Sequence, residues 1–135
     1  MKQTFLILIV LLLLLLGASL WTSQRGPGPS LSGTINGTVL LGPICPVMRV
    51  PPEPGCDDRP YGAQLVLTTN DGARVVKTFS SGEDGKFSIE APPGEYAIRS
   101  AAATNLHPYC ASRETIRVSQ GAATETIIYC DTGIR

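Results

Sequence analysis

The sequence predicts an all-β domain of seven short strands behind an apolar N-terminal helix. Three observations carry that prediction. Beyond residue 31, apolar residues alternate with polar or small ones in short stretches. Gly, Asp, Asn and Pro separate those stretches, and none of them holds an apolar repeat of 3.6 residues.

The N-terminal segment sets the compartment. Lys2 gives a short positive start, and Phe5 to Leu16 is unbroken apolar sequence. Gly17, Ala18 and Ser19 then supply the small residues a signal peptidase accepts. Extended to Trp21, the run reaches the lower limit of about 17 residues for a spanning helix. Residues 1–21 therefore read either as a signal peptide or as an uncleaved anchor, with residues 5–21 offering the membrane anchoring. Leu16-Gly17-Ala18-Ser19 is similar to a lipobox, but Ser19 stands where a cysteine must form the thioether. Both readings place the remainder of the chain outside the cytoplasm, secreted or membrane-anchored. Residues 22–31, rich in Gly, Pro and Ser, read as a linker, and residues 32–135 as the domain.

The strands come in order. Ile35, Gly37, Val39 and Leu41 share one face of the first, and Ala63, Leu65 and Leu67 one face of the second. Asn70-Asp71-Gly72 accepts the positive φ of a tight hairpin, and Val75 to Phe79 is the return strand. Glu83-Asp84-Gly85 turns into a fourth strand carrying Phe87 and Ile89. Pro92-Pro93-Gly94 reads as a type II turn, the glycine taking the positive φ. Tyr96 and Ile98 lie on the fifth strand, Ile116 and Val118 on the sixth, and Thr124 to Cys130 forms the seventh beyond Gln120-Gly121. Short strands with such turns make a β-sandwich or a barrel. Two connections are long, Gly42 to Gly62 and Ala101 to Ser112.

Cys45, Cys56, Cys110 and Cys130 are an even set in an exported domain, which favours disulfides. Four cysteines allow three connectivities; locality favours Cys45–Cys56 and Cys110–Cys130, each pinning a long connection. Lys plus Arg and Asp plus Glu both number 11, so the net charge is zero. Without a basic stripe, nothing supports a nucleic-acid partner.

Thr68-Thr69-Asn70-Asp71-Gly72, Ser80-Ser81-Gly82-Glu83-Asp84-Gly85-Lys86-Phe87 and Ala91-Pro92-Pro93-Gly94-Glu95-Tyr96 together resemble the carboxypeptidase regulatory-like domains. The resemblance departs at Ala91, where the family pattern has leucine. It implies a transthyretin-like (prealbumin-like) fold, a seven-stranded Greek-key β-sandwich common in bacterial extracytoplasmic proteins. Gly37 to Pro43, Cys45 to Tyr61 and Asp131-Thr132-Gly133-Ile134-Arg135 resemble small uncharacterised bacterial exported proteins of this kind. These are turn motifs, specific for fold and nearly silent on function.

Residue chemistry points away from catalysis. One histidine, His107, cannot build a two-histidine zinc site, and the cysteines show no C-x-x-C spacing. Met48, with His107 and thiols, would make a soft copper set, but oxidised cysteines leave it. Asp57-Asp58 falls short of the six to eight oxygens that calcium takes. No enzyme, no cofactor and no metal is expected. The expectation is a non-catalytic extracytoplasmic module, binding or structural, with a protein or glycan partner. A carbohydrate-binding module of starch-binding-like fold is the alternative. Of the residues on the long connections, Arg59, Tyr61 and Tyr109 are the candidate anchors, since Arg and Tyr dominate interface hot spots.

Overall fold

A computed structural model describes residue 3 and residues 31–47, 49–51, 53–102 and 106–135. The chain divides into Met1–Ser30 and Leu31–Arg135. Apart from Gln3 and Leu31, the export segment and linker lie outside the described residues, as does Met48. Among the described residues, no helix is long and apolar enough to cross a membrane.

Leu31–Arg135 is all-β. Strand β1 (Gly33–Gly42) alternates buried and half-buried residues along its whole length, with Ile35 and Val39 fully buried. The inward position between them is Gly37, and the space its side chain would fill is taken by the Phe87 ring. The remaining strands are β2 (Arg59–Pro60), β3 (Gln64–Thr69), β4 (Val75–Ser80), β5 (Lys86–Ala91), β6 (Gly94–Ser100), β7 (Tyr109–Ser112), β8 (Ile116–Val118) and β9 (Ala123–Asp131). Seven of these nine lie where the alternation places them. The other two, β2 and β7, are corrections, because they lie inside connections read as loops. Proline and a short Tyr-Cys-Ala-Ser run give no alternation to read, so these strands exist through pairing with β1 and β9.

All nine strands join one hydrogen-bonded sheet, ordered β2-β1-β9-β7-β6-β3-β4, with β5 on β1 and β8 on β6. The sheet is mixed and curls into a half-barrel. Its parallel pair is β1 with β9, in register from Thr34 opposite Ala123 to Gly42 opposite Asp131. The inner face gathers Ile35, Val39, Leu65, Leu67, Ile98 and Ile128 into the core. Full burial of each such side chain contributes about 1.5–3 kcal/mol.

Gly72, Gly85 and Gly121 all adopt positive φ, as their turns demand. At Gly85 a second constraint acts. A β-carbon there would stand 2.5 Å from the Val39 carbonyl oxygen, because the turn docks on β1 where its pairing with β5 gives way to its pairing with β2. The turn at Pro92-Pro93-Gly94 is a correction, since Gly94 does not have positive φ and already belongs to β6. Glycine is needed there for another reason. The Tyr96 phenol folds back over it, 3.1 Å from where a β-carbon would be, and donates a 2.8 Å hydrogen bond to the Pro92 carbonyl.

Candidate functional site: an outer-face cleft along β9

Two disulfides, Cys45–Cys56 and Cys110–Cys130, join the cysteines in the local pairing. Cys110 and Cys130 face each other across β7 and β9, both buried in the core. This bond fastens β7 to the sheet and so fixes which side of each neighbouring residue faces out. Two such bonds accord with an oxidising, extracytoplasmic setting.

With Cys110, Ile128 and Cys130 inward, the alternation turns Tyr109 and Ala111 outward on β7 and Glu125, Ile127, Tyr129 and Asp131 outward on β9. On the other flank, β1 presents Thr38 and Leu40 in register with Ile127 and Tyr129. Two adjoining depressions share Arg113 and Tyr129 and together follow β9 from Glu125 to Asp131. Six residue steps of extended chain make that cleft about 20 Å long. The Arg113 guanidinium lies over the Tyr129 ring, 3.8 Å from its centroid. That cation–π contact restrains the guanidinium while its N–H groups remain open to an acceptor.

Asp131 and Arg135 line one end of the cleft. Thr132 binds the end of β1 twice, its N–H donating to the Gly42 carbonyl (3.1 Å) and its hydroxyl to the Pro43 carbonyl (2.7 Å). The Asp131 carboxylate accepts from the Gly133 N–H at 2.8 Å and from Arg135 at both oxygens, 3.1 and 2.8 Å. The Arg135 guanidinium, then the Gly133 N–H, holds the Asp131 carboxyl well below the usual carboxylate range. His107 packs against Gly133, its Nδ1 3.2 Å from the Asp131 carbonyl oxygen.

The three candidate anchors do not converge. Tyr109 lines the cleft beside Asp58 and Tyr129. Arg59 is exposed on β2, opposite Leu41. Tyr61 packs partly against the core, and its backbone is engaged at Val39 and Ser81. Both Tyr109 and Arg59 stand on strands rather than loops, a correction with the cause given for β2 and β7. Asp57 and Asp58 are exposed, and among the described residues no group of His, Cys, Asp and Glu is arranged to hold a metal ion. Sequence reasoning missed Tyr129 and Arg113. Tyr129 was legible as the residue between two inward positions, Ile128 and Cys130; Arg113 comes just after β7, a strand without a signal.

No family model matches the chain, and no curated protein does. Among solved structures it is similar to the Bacillus anthracis TIE protein, at 17% identity and a TM-score of 0.45. The match covers 75% of this chain and 17% of that protein, so the chain spans well under a fifth of its length.

Proposed function

We propose that this chain is a non-catalytic extracytoplasmic binding module whose partner contacts the cleft along β9, at the cell envelope or in the secreted space. The observation that carries this reading is Arg113. Its guanidinium is held over the Tyr129 ring with no protein acceptor among the described residues, in a cleft where Tyr109 also faces out. A group oriented in advance and left without an acceptor lowers the ordering cost of binding. The Lys2 to Ser19 pattern supports export, and residues 5–21 supply anchoring if they are retained. The turn sequences that resemble carboxypeptidase regulatory-like domains support a prealbumin-like Greek-key assignment for the curled sheet.

The test is a photo-crosslinking amino acid at Ala111 of the full chain in its own cells, with Thr78 on β4 as control. Discrete adducts from Ala111 and none from Thr78 are expected. Equal patterns, or no adducts, would remove the reading. Carbohydrate binding is the second reading, favoured by Tyr109 and Tyr129 sharing one outward face of neighbouring strands.

A further inference from the structure

We propose that the cleft along β9 takes a linear, uncharged polysaccharide, an inference that rests on the carbohydrate form of the binding reading. Its shape comes first. The cleft runs along one strand for about 20 Å and is open along its length, which suits a stretched polymer better than a single small molecule.

Backbone pairing separates a sugar chain from a peptide. An extended peptide binds a sheet by adding a strand at a free edge, where main-chain groups are unpaired. Strand β9 has β1 along its length on one side and β7 beside Ile128–Asp131 on the other, so over Ile128–Asp131 its main-chain groups are directed to its neighbours. Over that stretch only side chains recognise whatever lies on this face. Those side chains are two phenols and an isoleucine, interspersed with charged groups of both signs. A chain of sugar rings presents the complement, apolar ring faces and hydroxyl edges.

Charge then selects among polymers. A polyanion would meet Asp58, Glu114 and Glu125; a polycation would be drawn to those carboxylates but repelled by Arg113, which lines both depressions. The other cleft guanidinium, Arg135, is already spent on Asp131. An uncharged polyol suffers neither repulsion, since its hydroxyls accept from Arg113 and donate to Asp58 or Glu114. The Tyr109 and Tyr129 hydroxyls have no protein partner among the described residues and serve as donors or acceptors. In this arrangement Tyr109 offers the ring platform, and Arg113, already stacked on Tyr129, fixes the hydroxyl register.

The experiment uses the full chain in a zwitterionic detergent free of sugar headgroups. Cellohexaose, maltohexaose and chitohexaose are titrated by calorimetry and by amide NMR, beside polygalacturonate and polylysine. At least one hexasaccharide is expected to bind, more tightly than its disaccharide, with shifts at Ala111, Ile127 and Tyr129. Tyr109→Ala and Arg113→Ala should each weaken it about tenfold, the loss of one good contact. Arg113→Lys should not restore it, because an ammonium lacks the planar fork. Thr78→Ala should bind normally, and circular dichroism checks that each variant is folded. Binding by none of the hexasaccharides, binding of the charged polymers alone, shifts elsewhere, or unchanged affinity in both Tyr109→Ala and Arg113→Ala would overturn the proposal. Specific crosslinks from Ala111 to a protein, with no sugar binding, would overturn it while leaving the module reading intact.

Discussion

The Phe87 ring lies in the space a side chain at position 37 would need, with its Cε1 atom 2.6 Å from an ideal β-carbon on Gly37. The two residues face each other in register across β1 and β5. Gly37→Ala should therefore force the ring aside and cost about 1–3 kcal/mol, the range for overpacking a filled core. Adding Phe87→Ala should make the Gly37→Ala step much cheaper, because the ring clash has gone and only the Thr126 carbonyl oxygen, 3.0 Å away, still crowds the new β-carbon. Urea unfolding of the two single variants and the double variant measures this coupling.

Removing Cys45 and Cys56 together as alanines should cost about 3 kcal/mol in the chain-entropy account, for a loop of this size. The two disulfides should also differ in access. Cys110 and Cys130 are 1% exposed, whereas Cys45 and Cys56 are only half-buried. Mild reductant on the folded protein should free the thiols of Cys45 and Cys56 first, and alkylation with peptide mass mapping would show it. Early labelling at Cys130 would contradict the burial argument.

Tyr96→Phe should cost about 1 kcal/mol by removing the hydrogen bond to the Pro92 carbonyl while leaving the ring in place. Thermal melts compare the variant with the parent. No loss at all would mean the hydroxyl is equally well solvated when the turn opens.

Asp131 sets an acid limit on the clasp at residues 131–135. Its carboxyl is lowered from the ordinary 3.8 by Arg135 and the Gly133 N–H, so the folded form holds its proton less well than the unfolded form. The resulting stabilisation is fully present above about pH 4 and is lost as pH falls through the lowered folded value. The Asp131 carboxyl carbon, tracked by NMR, should titrate below an exposed reference carboxylate. Arg135→Ala should move it back toward the ordinary range.

Much of this architecture was readable in residue order. Ile35, Val39 and Leu41 alternate because β1 has one face on the core, and Gly72, Gly85 and Gly121 mark turns because their φ is positive. Gly94 was legible as important but not for the right reason, since only the fold shows Tyr96 returning over it. Strands β2 and β7 were hidden because distant partners create them. The cleft was hidden with them. Tyr109 stood in an apparent loop, and Tyr129 gained meaning only when the register set it beside Ala111 and Arg113.

The parallel ladder between β1 and β9 has a mechanical consequence. Because the two strands run the same way, the start of β1 at Gly33 and the end of β9 at Asp131 lie at opposite ends of their shared ladder. Tension between those points slides one strand along the other and loads the interstrand bonds together. Antiparallel neighbours pulled from a common end would instead unzip one bond at a time. Drawn between Gly33 and Asp131, this domain should resist in shear and yield abruptly, whereas drawn across β3 and β4 from their open end it should peel at low force.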